Sequence, residues 1–282
     1  MISEVRPVSY RSHDSTYRLD VEVLTAQELR TRVASDPQRG FERIDFQCFV
    51  FVRSGSYSHV VDFETYELHT GACLLIGPGQ VHRFGPTSDW DGWILIVGTH
   101  LVPELVQDLP THVRLPRKHV DAVAELFARM QADARLSAER QRLGQLLALQ
   151  ASVLVGRLAL GAAASETQRL IDPVVLARYK DYRTAVDGEF RRWHLVAPYA
   201  HSLGCSPKSL TRSCRAAADV PAKRVIVDRI VLEAKRLLAR SADPVEAISR
   251  DLGFDEATNF VKFFRRETDM TPAGFRTAIR DP

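Results

Sequence analysis

The side chains of this 282-residue sequence best suited to chemistry on another macromolecule fall into two sets, each on a short helix-forming stretch. The first is Lys208, Ser209, Thr211, Arg212 and Arg215; the second is Ala257, Thr258, Asn259, Lys262, Arg265 and Arg266. Lysine and arginine neutralise phosphates and donate to guanine edges, asparagine pairs with adenine, and hydroxyls and methyls meet base edges in the major groove. Arg212 and Lys262 suit guanine, and Asn259 suits adenine. Behind each set lie apolar residues at helical spacing: Leu210 and Cys214 in one, Phe260, Phe263 and Phe264 in the other. The chemistry implied is readout of double-stranded DNA by two helices.

Positioning such helices requires a support and a tight turn. Residues 245–252 predict a short helix with Ala247, Ile248 and Leu252 inward. Gly253 follows where a helix end wants a left-handed residue, and Phe254 can fold back onto the helix just ended. Asp255 is the expected N-cap of a helix over 256–268. The upstream copy has the same form. Residues 195–203 turn Val196, Tyr199, Ala200 and Leu203 inward, Gly204 ends the helix, Ser206 caps the next and Pro207 takes its first position. A basic face on one helix is ordinarily just a solvated face; two tandem helix-turn-helix patterns are a poor match to accidental surface. Between them, residues 221–240 form a stripe of Val227, Ile230, Val231, Ala234, Leu237 and Leu238. About 18 helical residues span roughly 27 Å, against about 34 Å between adjacent major-groove faces. That geometry is compatible with two successive grooves.

The stretch from 195 to 276 resembles the DNA-binding domain of the AraC/XylS family of bacterial transcriptional regulators. The resemblance is carried by LGCSPKSLTRSCR, LEAKRLL, AISRDLGF and FVKFFRRETDMTPAGFR. It implies a sequence-specific regulator, an effector-responsive activator, with base-reading side chains at Lys208, Thr211 and Arg212 and at Ala257, Thr258, Asn259 and Lys262. It also implies RNA polymerase as a partner and a bacterial cytoplasmic location, nucleoid-associated when bound. Two positions depart from the family pattern: Cys214 replaces a phenylalanine behind the first recognition helix, and Pro198 lies early in its support, tolerable only in the first turn.

Composition agrees with a soluble globular protein of two domains, with 45% hydrophobic and 26% charged residues. The net charge of +3 hides an asymmetry. Residues 183–282 carry 18 basic and 13 acidic side chains, net +5, leaving −2 for the first 182. The excess is modest, so charge alone does not indicate nucleic acid. Cys48, Cys73, Cys205 and Cys214 form no CxxC pair and read as reduced core residues. The amino terminus lacks the apolar core of a signal peptide, and no run approaches the roughly 18 apolar residues of a membrane span, so no membrane partner is expected.

The first hundred residues read as short strands: 17–24, 44–52 closed by an Arg53-Ser54-Gly55 turn, 59–68, 72–76, 81–84 and 93–97. Strands punctuated by glycine and proline turns suggest a small antiparallel barrel, and GACLLIGPGQVHRFG resembles the second half of a cupin. A metal cupin needs a His-x-His pair, a carboxylate and a later histidine. His82 occupies the later place, but His59 has no paired histidine, and a short strand cannot easily join it to His69. No metal and no cofactor are therefore expected. His59, His82, Phe84 and Trp93 are the candidate ligand-binding residues, and core packing is the competing reading for the aromatics, Trp90 included.

From 117 to 164 the period becomes helical, with Val120, Val123, Leu126, Phe127 and Met130 in one stripe and Leu143, Leu146, Leu147, Leu149 and residues 154–160 in another. So apolar a second helix needs more to bury against than a small barrel offers, which favours a homodimer. The expected fold class is α+β multidomain: a cupin-like barrel (1–116), a helical hairpin (117–165), a linker and lead-in helix (166–182), and an all-α domain (183–282) with helix-turn-helix motifs near 195–217 and 245–268. A metal-dependent cupin enzyme with a helical appendage is the alternative; it lacks ligands and leaves two helix-turn-helix units unexplained. An architectural DNA binder without sequence preference is disfavoured by the small positive excess.

Overall fold

The computed structural model describes residues 5–9, 20–34, 40–85, 89–136, 139–165 and 171–280. The chain divides into two compact units, Val5–Gln168 and Arg169–Pro282.

The first unit is a curled sheet carrying a helical hairpin. Its strands are β1 (Arg6–Val8), β2 (Val21–Thr25), β3 (Glu42–Ile44), β4 (Gln47–Val61), β5 (Glu64–His69), β6 (Ala72–Ile76), β7 (Val81–Phe84), β8 (Trp90–Val97) and β9 (His112–Arg114). The described pairings are antiparallel except β1 with β3. Helices α1 (Ala26–Ala34), α2 (Arg117–Asp133) and α3 (Arg140–Ser165) complete the unit. The part of the expected first strand before Asp20 lies outside the described residues.

Two strand expectations need correcting. Arg53-Ser54-Gly55 does not reverse the chain. It is a bulge within β4, where the register against β8 shifts between Val52 and Ser54. Gly55 adopts φ +83°, and a side chain there would overlap the Asp89 carbonyl. The bend lets one strand serve two layers: residues 47–55 pair with β8, and residues 56–61 with β5. The reversal comes later, at Asp62 and Phe63, both left-handed as a two-residue hairpin requires. The stretch 59–68 is therefore a hairpin rather than one strand.

Because β4, β6 and β8 are covered on both faces, they read as nearly continuous apolar runs. Phe49, Phe51, Leu75, Trp93 and Leu95 pack against Val123, Phe127 and Met130 of α2 and Leu147, Leu154 and Leu158 of α3. Cys48, Val50, Val52, Leu74 and Ile94 face the interior of the curl. Trp93 thus belongs to the helix-covered face, not with the histidines. Its ring is stacked 6.4 Å from Phe51 and 6.0 Å from Phe127, and its Nε1–H donates to Gln131 Oε1 at 3.2 Å. Helix α1 was not anticipated. Its signal was a capping box: Thr25 N–H donates to Glu28 Oε2 at 2.7 Å and Glu28 N–H to Thr25 Oγ1 at 3.1 Å.

Helix α3 is more apolar than the sequence reading allowed: Arg140–Ala163 reaches the length and mean hydropathy (1.7) of a membrane span. Leu143, Leu147, Ala151, Leu154, Val155 and Leu158 lie in the core of the sheet and hairpin, which accounts for one apolar face.

The second unit is helical: α4 (Pro173–Glu189), α5 (Val196–Ser202), α6 (Pro207–Ala218), α7 (Ala222–Arg240), α8 (Val245–Asp251), α9 (Ala257–Thr268) and α10 (Pro272–Arg280). Helix α4 begins at Asp172, whose side chain accepts from Val174 N–H, with Pro173 in the first turn. It runs unbroken across the boundary expected at 183 and packs on α6 and α7. It belongs to the helical unit, so within the expected linker and lead-in helix (166–182) residues 173–182 are helix, and the boundary at 183 falls inside α4.

Phe127 is fully buried and stacked 5.4 Å from Phe51. Phe127→Ala is expected to lower the stability of the first unit by about 3–5 kcal/mol, read as a shift in the urea midpoint followed by Trp93 fluorescence.

Candidate nucleic-acid interface

The first motif follows from local capping. Helix α5 ends at Leu203; Gly204 takes φ +60°, and Cys205 N–H donates back to Ala200 O at 2.9 Å. Pro198 is the third residue of α5, within the first turn that tolerates it. Ser206 then caps α6, its Oγ accepting from Ser209 N–H at 3.1 Å. Leu210, Ser213 and Cys214 are buried, Lys208, Arg212 and Arg215 exposed, and Ser209 and Thr211 intermediate. The sequence-predicted residues of this set therefore share the open side of α6.

The second motif repeats the first fifty residues on, Phe260 standing for Leu210, Phe264 for Cys214, Lys262 for Arg212 and Arg265 for Arg215. Asp219 and Asp269, at the ends of α6 and α9, are both left-handed, at φ 56° and 57°. Gly253 has φ +79°, and Phe254 N–H donates to Ser249 O at 3.0 Å. Asp255 is not the N-cap: that position falls to Glu256, which makes no side-chain capping bond. Phe260 and Phe264 are buried and Phe263 is half-buried against Phe254 at 5.2 Å. Thr258, Asn259, Lys262, Arg265 and Arg266 are exposed, with Ala257 half-buried at the helix start. Among the described residues, Lys208, Arg212, Arg215, Lys262 and Arg265 form no ion pair, so their charge is available to phosphate or base. Arg266 differs. Its guanidinium bonds Glu267 at 2.8 Å and lies 5.6 Å from the Phe263 ring.

Residues that sequence reasoning missed hold the two motifs on their scaffold. Tyr182 of α4 donates to Ala222 O at 2.8 Å and meets Tyr199 edge-on at 5.5 Å, joining α4, α5 and the start of α7. Burial raises its phenol well above the ordinary tyrosine range. Glu233 of α7 accepts from Arg191 at 2.9 Å and Arg229 at 3.0 Å. Burial alone would raise its carboxyl, but Arg229 and Arg191 outweigh that and hold it below the usual range. Glu267 of α9 bonds Arg224 of α7 at 2.7 Å. His194 Nε2–H donates to Leu252 O at 2.9 Å, beside Phe254 at 4.9 Å. These partners are remote in sequence and left no local pattern.

The other candidates lie in the first unit. His59 and His82 stack 5.2 Å apart, each about 5 Å from Phe84. Tyr57 Oη is 3.0 Å from His59 Nδ1, and His59 Nε2 is 3.1 Å from His82 Nδ1. Both histidines are buried, with nitrogens directed at each other rather than at a common point. Among the described residues no group of three or more His, Cys, Asp or Glu is placed to hold a metal ion. His82 and Phe84 line a cavity of about 140 Å³; Trp93 does not.

A helix-turn-helix domain family matches residues 199–278, and an AraC-like ligand binding domain family matches residues 28–152. The chain is 24% identical over 275 residues to the HTH-type transcriptional activator RhaS of Escherichia fergusonii, covering 91% of this chain and 95% of that one. It is 23% identical to the RhaS of Klebsiella pneumoniae, over 85% and 89% of the two chains. Similarity to the arabinose operon regulatory protein of Salmonella typhimurium is 23% over 234 residues, 76% of this chain and 77% of that one.

The two turn glycines differ in what surrounds them. A side chain at Gly253 would overlap the Arg191 carbonyl oxygen, whereas one at Gly204 meets nothing within 4 Å. Gly204→Ala is expected to cost about 1 kcal/mol of left-handed strain. Gly253→Ala should cost at least about 3 kcal/mol, because the α4–α5 connection must also move. Urea unfolding followed by far-UV circular dichroism compares the two.

Proposed function

Because the chain belongs to the AraC-type family of transcriptional regulators, we propose that it reads operator DNA through two successive major grooves per protomer, as a homodimer whose first unit responds to a small-molecule effector. It is a DNA-binding transcriptional regulator. The observation that carries the two-groove reading is the repetition of exposed cationic side chains, Lys208, Arg212 and Arg215 on α6 and Lys262 and Arg265 on α9, that form no ion pair among the described residues. Helix α7, of 19 residues, spans about 28 Å between them. Arg212 and Lys262 address guanine edges and Asn259 adenine. Lys208, Ser209, Thr211, Arg215, Ala257, Thr258 and Arg265 supply further base and phosphate contacts, and Arg266 a phosphate contact beside Glu267. The activator names of the RhaS relatives support activation, with RNA polymerase as partner, and the family supports a cytoplasmic place of action. Nothing in the site favours the metal-dependent enzyme.

Support for the dimer comes from α3. Leu146, Leu149, Val153, Gly156 and Leu160 recur at alternating spacings of three and four on the side away from the core, with Leu149 66% and Leu160 67% exposed. Alternating spacings of three and four are those of a coiled-coil seam, and they support a partner helix here. Leu149→Asp combined with Leu160→Asp is expected to convert a dimer to a monomer in sedimentation velocity without loss of helical content.

Footprinting of the full-length protein on fragments of its own genome at near-physiological salt tests the DNA reading. Two protected grooves per protomer are expected. Arg212→Ala and Lys262→Ala should each lower affinity by about 1–3 kcal/mol and relax preference at one base pair. Equal weakening on all sequences would make the residue a phosphate contact, and no specific protection would sink the proposal.

A further inference from the structure

Val196 opens α5, and helical spacing sets it on the inward side with Tyr199 and Ala200. Those two are buried, whereas Val196 is only half-buried. It lines an open cleft of about 900 Å³ that it shares with the outward side of α6. Val196, Pro207 and Thr211 give this cleft apolar wall. Lys208, Arg212 and Arg215 stand along it, exposed and forming no ion pair among the described residues. Their methylene stems add to the hydrocarbon while their charged ends reach outward, so the surface inside the cleft is mainly apolar.

Hydrocarbon at the wall and cations along the rim match one feature of a DNA duplex. With α6 in a major groove, which is the proposed DNA reading and the premise of this inference, the rim meets phosphates and polar base edges. The wall suits neither. A base donor or acceptor pressed against Val196 would lose its water without gaining a partner, and a phosphate would lose more. Thymine is the one base with an apolar group on its major-groove edge, the C5 methyl. Cytosine has the same ring position without the methyl. A supporting helix crosses the backbone at the flank of the groove, so the thymine lies at the α5 side of the bases that α6 covers.

We propose that Val196 is a specificity-determining residue, its isopropyl group receiving the C5 methyl of one thymine in the groove read by α6.

The test uses full-length protein and the operator defined by footprinting. Each thymine in the groove covered by α6 is replaced singly by deoxyuridine, which removes the methyl and leaves pairing with adenine intact, and affinity is read by fluorescence anisotropy. One position is expected to weaken by about fourfold, the worth of one buried methyl-sized group. Val196→Ala should bring thymine and deoxyuridine at that position within about 1.5-fold of each other, and Val196→Ile, which keeps the aliphatic surface, should retain the difference. Lys262→Ala, in the other motif, should weaken binding yet leave the fourfold penalty in place, which separates a lost methyl contact from a general loss of affinity. An operator with no thymine in that groove, or specific binding insensitive to every deoxyuridine there, overturns the inference and leaves the DNA reading standing. A penalty that survives Val196→Ala overturns the assignment to Val196. Absence of any specific protection is a separate result, and it sinks the DNA reading itself.

Discussion

Helix α7 packs against α4, α5, α6, α8, α9 and α10, and its continuity fixes where α6 and α9 stand. On the proposed two-groove reading a rigid rod serves because two grooves of B-DNA are a fixed distance apart, and a protein that flexed between them would lose entropy on every encounter. The sequence builds the rod with apolar residues around much of its circumference: Ile226, Val227, Ile230, Val231, Ala234, Leu237 and Leu238 are buried. Glu233 is the polar exception. It sits between Arg229 of the preceding turn and Arg191 of the α4–α5 connection, and Arg191 lies 3.7 Å from Asp251 of α8. Its depressed carboxyl is ionised throughout the neutral range, and the contribution is lost only as pH falls through that lowered value. One carboxylate thus ties the rod to the supports of both motifs.

How much of this was legible in the sequence depends on how local each device is. The motifs were legible because glycine at a left-handed turn, serine before proline and phenylalanines at helical spacing act within a dozen residues. The sheet was only partly so. Gly55 reads as a turn residue, and nothing adjacent in sequence says that the strand will run on through it with the Asp89 carbonyl where a side chain would stand. The meeting of His59 with His82 depends on β4 and β7 pairing, with Val61 opposite His82 and His59 opposite Phe84. Trp93 and Phe84 both read as pocket aromatics; strand parity, invisible until register is known, sends Trp93 to the helices. Helix α1 was missed although its capping box stands in the sequence, because a strand pattern ran directly into it.

The same parity explains why the first unit carries so apolar a hairpin. Strands β4, β6 and β8 bury side chains on both faces, so the outer face needs a cover, and α2 with one side of α3 supplies it. A helix that only covered a sheet would need a single apolar stripe. Helix α3 has two, and the second recurs at spacings of three and four, the pattern on which the proposed homodimer rests.

The two helix-turn-helix units share a backbone but not a back. Where α9 places Phe263 and Phe264, α6 places Ser213 and Cys214, and Ser213 Oγ is buried without a hydrogen-bond partner among the described residues. Two aromatic rings replaced by a hydroxymethyl and a thiol leave volume that a close-packed interior must fill from elsewhere. Helix α4 fills it. Tyr182, fully buried, stands edge-on to Tyr199, and burial pushes the Cys214 thiol up to about 11. The second motif closes on its own phenylalanines, with Phe254, Phe260 and Phe264 in contact and Phe275 of α10 at 5.7 Å from Phe264. The first depends on a helix outside the motif. That is why a domain boundary drawn at 183, through the middle of α4, removes the packing that a small-residued recognition helix cannot provide for itself.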